Sequence, residues 1–552
     1  MTEATRDFVV VGSGFGGSVS AMRLSEKGYD VLVLERGKRW RDEDFPRSNW
    51  NAFKFIWKPM LRMFGLLQID LLNDVMVLHG SGVGGGSLIY ANVLMEPEDH
   101  LFDAPGWQKM NDWRAVLRPH YETAKRMLGV ARNPRLWAAD HVLQEIATEY
   151  GQGASFRPTN VAIYFDEERP GETVPDPYFD GEGPERAACI HCGGCMVGCR
   201  HNAKNTLVKN YLYFAEQNGT DIRAEAEVTA IRALPDGQAD GARYEVVYRK
   251  ATAWPWQQTE TVVRTRQVVV AAHVMGTLKL LFHSRDVTRT LPNISQRLGE
   301  NVRTNSETIP GVTARTDDID YSEGAAITSI FRVDDNTHLE PVRYPAGSGF
   351  IRMLAMPMIP TSHNIFKQLW RMTKKFFSNP VDFLHAKVFG KWAQRTTILL
   401  IMQTADSTMQ IKPGRSLFTG FRRGLVSRLN KGQRISPPFE LSHGITQRFA
   451  DKTNGVPQDA IPEALLGIPT TAHLLGGVPM GHTAEDGVID QYCEVHNYPG
   501  LYVVDGSIMP ANPGINPSLT ITAMAEYAMS HIPPKASDAP TPAHDAQAVA
   551  PV

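Results

Sequence analysis

Short runs of apolar residues, separated by glycine-rich turns, form the main pattern of this chain. Residues 8–11 are one phenylalanine and three valines, which is typical of a strand buried in a parallel sheet. Residues 31–34 repeat the pattern, and the segment between the two runs, through Ser25, has helical character. A strand, a helix and a second strand in this order predict a βαβ unit and therefore an α/β fold.

The pattern changes along the chain. Residues 221–232, 242–251 and 267–272 are predicted as further strands, and residues 100–150 as mainly helical. Beyond residue 300, polar and apolar residues alternate at 327–333 and 396–403, as in strands with one buried face. This change predicts a second domain with an antiparallel sheet, so the whole chain combines α/β and α+β organisation.

Three glycines after the first strand form a G-x-G-x-x-G motif: Gly12, Gly14 and Gly17. The first permits a tight turn, the second lets the backbone approach a pyrophosphate, and the third lets helix and strand pack closely. Glu35 ends the second strand, where a carboxylate can accept hydrogen bonds from ribose hydroxyl groups. Glycines, strands, helix and acid together predict a dinucleotide site rather than a glycine-rich turn without a ligand.

A second glycine-rich segment, HGSGVGGGSLIYAN, covers residues 79–92. Five glycines in residues 80–86 supply unhindered N–H donors and allow close approach to a flat or phosphorylated ligand. A flexible linker is the alternative. Apolar runs at 75–78 and 87–90 flank the segment, which favours a cofactor loop.

Composition narrows the class of protein. The 552 residues are 42% hydrophobic and 21% charged, with a net charge of −2, which gives no argument for nucleic-acid binding. No apolar run reaches the length of a membrane span. The first strand begins almost at the N-terminus without a leader pattern, so the expectation is a cytoplasmic protein.

Four of the five cysteines form a C-x2-C-x2-C-x3-C run: Cys189, Cys192, Cys195 and Cys199. This is the spacing of bacterial ferredoxins, so the run is a candidate [4Fe–4S] or other iron–sulfur site. A structural zinc site and metal-free thiols are the alternatives. In ferredoxins a remote cysteine completes the first cluster, which makes Cys493 an alternative fourth ligand to Cys199.

Two stretches mix aromatic and basic residues. Residues 40–70 are predicted as a core-packing segment, with a lipid-facing surface as the alternative. Residues 361–395 carry seven Lys or Arg against one acid, Asp382, among several aromatics. Such a stretch favours peripheral contact with an anionic membrane and, equally, a solvated helix that covers a domain.

Five motifs together resemble one family. They are VVVGSGFGGSVSAMRL with Glu35, GSGVGGGSLIYAN, VVVAAHVMGTLKLL, HLLGG at 473–477, and LYVVDGSIMPANPGINPSLTITAMAE at 501–526. The chain resembles the glucose–methanol–choline (GMC) flavoprotein oxidoreductases and, within them, the cholesterol oxidases. Residues 310–460 carry no motif that matches.

The resemblance implies an FAD site. The residues implied to hold FAD are Gly12, Gly14, Phe15, Gly16, Gly17 and Glu35 for the ADP half; Gly84, Gly85, Gly86, Ser87 and Asn92 beside the flavin; Val228 at the adenine; and Asp505, Gly506, Asn516 and Pro517 at the pyrophosphate and flavin. The implied domains are a discontinuous FAD-binding domain (1–105, 200–305 and 466–532), a helical segment with the Cys-rich loop (106–199), a substrate-binding domain (306–465) and a disordered tail (533–552).

The resemblance also implies a catalytic pair, His473 and Asn516. An alcohol loses its hydroxyl proton as its carbon donates hydride to the flavin N5 atom. An imidazole near neutral pKa can accept that proton, and an amide can donate to the developing alkoxide. The leading hypothesis is oxidation of an apolar alcohol, such as a sterol or another lipid.

Three departures qualify the resemblance. His273 follows Ala271 and Ala272 where the family usually has glycine. Cholesterol oxidases use a glutamate to move the steroid double bond, but residues 392–403 contain no acid, so isomerisation is not predicted. The third departure is the cysteine run, which leaves two electron acceptors open: dioxygen, or an iron–sulfur centre with an acceptor protein. The alternative functions are a dehydrogenase of a sugar or small polar alcohol and a flavin redox relay without its own substrate.

Overall fold

The computed structural model describes residues 4–360, 365–388, 390–405, 407–429 and 439–536. The strands in these ranges are β1 (Arg6–Val11), β2 (Val31–Leu34), β3 (Trp57–Lys58), β4 (Met63–Phe64), β5 (Leu67–Leu71), β6 (Met76–Gly80), β7 (Ala131–Arg132), β8 (Arg157–Pro158), β9 (Asn160–Val161), β10 (Thr173–Val174), β11 (Arg186–Ala187), β12 (Asp221–Arg223), β13 (Ala226–Ala233), β14 (Tyr244–Lys250), β15 (Glu260–Val270), β16 (Gly311–Ala314), β17 (Ser329–Asp334), β18 (Thr337–Val342), β19 (Ala355–Pro357), β20 (Thr396–Gln403), β21 (Met409–Gly414), β22 (Gly424–Leu429), β23 (Gly455–Ala460), β24 (Thr470–Thr471) and β25 (Leu501–Val503).

The α-helices in the same ranges are α1 (Phe15–Glu26), α2 (Ala52–Phe55), α3 (Pro105–Gln108), α4 (Trp113–Met127), α5 (Ala138–Glu149), α6 (Tyr211–Gln217), α7 (His273–Phe282), α8 (Ile365–Ser378), α9 (Pro380–Lys387), α10 (Trp392–Arg395), α11 (Phe439–Lys452), α12 (Ile461–Leu466) and α13 (Ser518–Ser530). Within the described ranges, no helix combines the length and hydrophobicity needed to cross a bilayer.

The predicted βαβ unit is confirmed at the centre of the first sheet. β1 pairs in parallel with β2 on one side and β15 on the other, and β12 extends the sheet beyond β2. The apolar residues of β1 and β2 are buried, as their uninterrupted hydrophobic pattern requires. β25 also pairs in parallel with β15, so the end of the chain returns to the N-terminal sheet.

One predicted strand is two. The run 221–232 contains β12, parallel to β2, and β13, antiparallel to β14. Between them Glu225 has φ of 59°, a left-handed conformation that redirects the chain. Its N–H donates to the carbonyl of Gly37. The hydrophobic pattern alone does not reveal this turn, because polar and apolar residues alternate through it from Asp221 to Ala230.

The second sheet is antiparallel throughout, as the alternating pattern predicts. Its seven strands lie in the order β19–β23–β16–β20–β18–β17–β8. Apolar residues of α5 and α11 pack on this sheet, among them Leu143, Ile146, Ile445 and Phe449. β20 has the predicted bounds, but it is buried on both faces rather than on one.

Two amphipathic stretches and the tail complete the comparison. In residues 40–70, Phe55 and Trp57 are buried, whereas Phe53 is exposed, so the segment packs only in part. Residues 361–364 and 389 of the basic stretch lie outside the described residues. So does the predicted tail from residue 537 onwards, while Lys535 pairs with Asp7 beside β1.

Candidate active site

A cavity of about 1350 Å³ lies between the two large sheets. The predicted site residues that line it are Gly12, Gly14, Phe15, Gly16, Glu35, Gly85, Gly86, Val228, His473, Asp505, Gly506, Asn516 and Pro517. Gly17, Gly84, Ser87 and Asn92 are not among the lining residues. Thirteen predicted residues from distant parts of the chain are therefore brought to one cavity.

The first glycine loop leaves room on the cavity side and none behind. A Cβ atom on Gly14 would meet nothing within 4 Å, whereas one on Gly16 would lie 1.6 Å from the carbonyl oxygen of Val504. A Cβ on Gly17 would lie 2.0 Å from the carbonyl oxygen of Gly12. Gly14 thus gives a ligand access to the N-terminus of α1, while Gly16 and Gly17 permit close packing. This geometry fits the diphosphate of FAD.

Glu35 is buried, and the protein fixes its carboxylate. Its Oε2 accepts hydrogen bonds from the N–H and Oγ of Ser13, at 3.1 and 2.8 Å, and Oε1 accepts from Gly37 N–H at 2.8 Å. Ser13 Oγ also accepts from Gly84 N–H at 3.1 Å, which joins the two glycine loops. The contact of Glu35 with ribose remains a prediction.

His473 is held by Glu307, which the sequence did not single out. Its Nδ1 bonds to the carboxylate of Glu307, which is fully buried. That carboxylate also accepts from Thr471 Oγ1 and from Ala472 N–H, both at 2.9 Å. A carboxylate at Nδ1 fixes the proton there and leaves Nε2 as the basic nitrogen. Glu307 lies 166 residues before His473, so no local motif could join them.

An acid from another strand lies close to this part of the cavity. Residues 392–403 contain no acid, but Glu340 on β18 is directly opposite Leu400, which lines the cavity. Residues opposite each other in an antiparallel pair share a face of the sheet. Burial raises the pKa of Glu340 to about 8, with the Asn516 amide opposing and the charge of Glu307 adding to the rise.

Most of the surface between the second sheet and the catalytic pair is apolar. The side chains there include Met196, Ile309, Ile327, Val342, Ile351, Leu354, Ile398 and Leu400. A lining of this kind suits a hydrophobic substrate that presents one polar group to His473 and Asn516.

The cysteine run does not form a metal site in this arrangement. Among the described residues, no three His, Cys, Asp or Glu side chains are grouped to hold a metal ion. Burial raises the pKa of Cys192 to about 11, and the charge of Cys195 adds to the shift. The alternative ligand Cys493 packs in the core of the first domain, apart from the core that contains Cys189 and Cys195.

Comparisons with known proteins agree with this geometry. Residues 441–525 match the GMC oxidoreductase C-terminal model, and residues 10–40 match an NAD(P)-binding Rossmann-like domain. A cholesterol oxidase of Acinetobacter baumannii is 44% identical over 96% of this chain and 94% of its own. One of Mycobacterium tuberculosis is 42% identical over 96% and 91%.

Solved structures show the same fold at low identity. Pyridoxine 4-oxidase superposes with a TM-score of 0.57 at 16% identity, over 96% of this chain and 99% of that one. A fungal aryl-alcohol oxidase gives 0.58 at 14%, over 96% and 98%. From the glycine loops, the cavity and the cholesterol oxidase relatives, we conclude that the chain belongs to the GMC oxidoreductases, as a cholesterol oxidase-like, FAD-dependent alcohol oxidoreductase.

Proposed function

We propose that this enzyme oxidises the hydroxyl group of a sterol or a similar apolar lipid alcohol. The observation that carries the proposal is the apolar cavity that ends at His473 and Asn516 beside the FAD loops. Two relatives at 42–44% identity are cholesterol oxidases, which supports the same substrate class.

The residues supply proton transfer and orientation. FAD, when bound, supplies the acceptor for the hydride that leaves the alcohol carbon. With Nδ1 tied to Glu307, Nε2 of His473 accepts the hydroxyl proton, and the carboxylate stabilises the resulting imidazolium. The Asn516 amide donates a hydrogen bond to the substrate oxygen as it gains charge.

The test is anaerobic bleaching of the flavin by cholesterol. We expect His473→Ala to slow bleaching by about 10²–10⁴-fold while bound FAD is retained. His482 is exposed, and His482→Ala is the matched control that should bleach normally. Equal bleaching by all three proteins would exclude a role for His473. Bleaching by sugars or small alcohols alone would favour the polar-alcohol dehydrogenase, and no bleaching by any alcohol would favour the redox relay.

We infer that dioxygen is the electron acceptor. The two curated relatives are oxidases, which supports dioxygen rather than an iron–sulfur relay to an acceptor protein. The test is iron and zinc analysis with EPR on anaerobically purified enzyme. Flavin without iron supports the inference, and about four irons per chain with a reduced-state signal would contradict it.

A second activity, migration of a double bond, is supported by Glu340. A carboxylate beside the oxidised carbon can remove an adjacent proton and return it further along the carbon skeleton. Glu340 is fully buried near Asn516, which lines the cavity, and the proposal places the oxidised ring on that side. Isomerisation therefore becomes part of the proposal, against the expectation from the sequence.

We propose in addition that this enzyme is cytoplasmic and that it contacts membranes peripherally through α8 and α9. Trp370, Phe377 and Val381 are 64%, 76% and 55% exposed, and Lys374 lies 5.3 Å above the Trp370 ring. Exposed aromatics beside lysine suit an anionic lipid surface. The enzyme should float with anionic liposomes at low salt, and Trp370→Glu/Phe377→Glu should remain unbound. Failure of the unaltered enzyme to float would overturn this contact.

A further inference from the structure

Two histidines stack face to face at the wall of the cofactor cavity. The rings of His79 and His273 have centroids 4.4 Å apart and planes 8° apart, and both line the cavity. His79 lies at the end of β6, directly before the second glycine loop, and His273 is the first residue of α7. The catalytic scheme above uses neither of them.

Both rings are fixed. Nε2 of His79 donates to Asp70 Oδ2 at 2.8 Å, and that carboxylate accepts two hydrogen bonds from Gln68 Nε2. Met275 N–H donates to Nδ1 of His273 at 3.4 Å. Nδ1 of His273 is therefore an acceptor, which places the proton of the neutral ring on Nε2. Burial lowers the pKa of both histidines, so two uncharged rings stack without repulsion.

The backbone at His273 is unusual for its residue type. Its φ is 62°, in the left-handed region that favours glycine, although a histidine occupies the position. A strained conformation persists where the surrounding structure or a ligand compensates for it. The His79 stack and the Met275 hydrogen bond hold the ring, and the ring occupies cavity wall that glycine would leave open.

The position of this pair identifies the part of FAD that it would meet. A Cβ atom on Gly12 would lie 2.4 Å from the carbonyl oxygen of Ala271, so the segment before His273 abuts the diphosphate glycines. The charge of Arg36, the residue after Glu35, contributes to the lowered pKa of both histidines. Arg36, Glu35 and His273 all line the cavity, together with Gly12 and Gly14 of the first glycine loop. Nδ1 of His79 is also buried there, with no hydrogen-bond partner among the described residues.

We propose that His273, buttressed by the ring of His79, is an FAD-binding residue whose Nε2–H donates to the adenosine diphosphate half of the cofactor. Where a glycine would leave empty space, the stacked His273 ring supplies a hydrogen-bond donor with a fixed direction. The consequence is slower loss of FAD, at the cost of a strained backbone. FAD dependence follows from the family, so this assignment stands or falls separately from the sterol substrate.

The test measures release of FAD from the purified holoenzyme after dilution, by the rise in flavin fluorescence. His273→Gly relieves the backbone and removes the donor, so we expect roughly tenfold faster release. With FAD in excess, the midpoint temperature of thermal unfolding of His273→Gly should equal or exceed that of the unaltered protein. His273→Asn, which tolerates left-handed φ, gives the same comparison if the glycine variant folds poorly. Arg289→Gly is the matched control, because exposed Arg289 has φ of 53° and does not line the cavity.

The outcomes separate binding from structure. Faster release from the His273 variants alone, with unshifted flavin absorption bands, supports a contact at the ADP half. Unchanged release overturns the proposal. A lower thermal midpoint even with excess FAD would mean that His273 only stabilises the fold, and shifted flavin bands would place it at the isoalloxazine ring instead.

Discussion

At the scale of single residues, the proposed direction of proton transfer follows from the contact between Glu307 and His473. Glu307 touches the histidine rather than the substrate, so it is a positioning residue. We expect Glu307→Gln to lower the rate of anaerobic flavin reduction by about 10–10²-fold, because a neutral amide stabilises an imidazolium less than a carboxylate does. KM should change little.

Stopped-flow absorbance on the holoenzyme measures this rate. Glu307→Asp, which keeps the charge, should recover part of the loss. If the glutamine variant reduces its flavin at the normal rate, the carboxylate has no part in proton transfer.

Glu340 predicts a pH dependence. Because burial raises the pKa of its carboxyl to about 8, the basic form accumulates as the pH rises through that value. Isomerisation of an oxidised sterol should therefore accelerate between about pH 7 and 9, while Glu340→Gln should abolish it and leave oxidation largely intact. Absorbance of the conjugated enone product reports the reaction, and persistent isomerisation in the variant would exclude Glu340 as the base.

The same carboxyl affects stability with the opposite sign. A buried acid whose folded pKa lies above its unfolded value favours the protonated form, so its contribution is lost as the pH rises from about 4.5 towards 8. Glu340→Gln should lessen this decline. Parallel decline in both proteins, measured by denaturant unfolding, would show that other groups cause it.

Residue identities were predictable only where a motif contains them. The glycines, His473 and Asn516 lie in recognisable segments, and the structure brings most of them to one cavity. Glu340 comes from the region without motifs, and Glu307 lies just before that region, outside the five matching motifs. They enter the site through contacts between segments distant in sequence, which a hydrophobic pattern does not encode.

At the scale of elements, an ion pair between Arg23 and Glu526 joins α1 to α13. Arg23 Nε donates to Glu526 at 2.7 Å, Tyr211 Oη donates to the same carboxylate at 2.6 Å, and Glu526 is 5% exposed. Removing one partner of a buried pair leaves an uncompensated charge. We expect Glu526→Gln to lower the free energy of unfolding by about 3 kcal/mol.

Urea unfolding measures the change. Glu26→Gln is the matched control, since Glu26 pairs with the same arginine but its side chain is 34% exposed, and its loss should be below about 1 kcal/mol. Equal effects of the two variants would show that burial does not strengthen the pair.

Element type was easier to predict than element boundaries. Uninterrupted apolar runs predicted the parallel strands β1 and β2, which are buried on both faces. The strand at 396–403 was also predicted, but β20 is buried on both faces because α5 and α11 cover one side of its sheet and the cavity lies on the other. The turn at Glu225 was missed, since a left-handed residue other than glycine has no strong sequence signal.

At the scale of the whole molecule, the cavity belongs to both sheets. One wall carries the glycine loops and the other carries β18 and β20, so neither sheet alone forms the site. The predicted class, an α/β unit beside an antiparallel sheet, is confirmed. The predicted domain limits stay a prediction. Because a late segment of the chain returns to the first sheet, one position in the sequence cannot separate the two domains.

That return has a consequence for synthesis. The carboxyl end of β15 can pair with β25 only after β25 has been synthesised, roughly 230 residues later. At usual rates of translation this delay is about 10–50 s. Until then the nascent chain has an incomplete sheet, whose unpaired apolar edge can pair with other chains. Asp505 and Asn516, which line the cavity, also lie beyond β25 along the chain, so we expect a product truncated before β25 to aggregate without bound flavin.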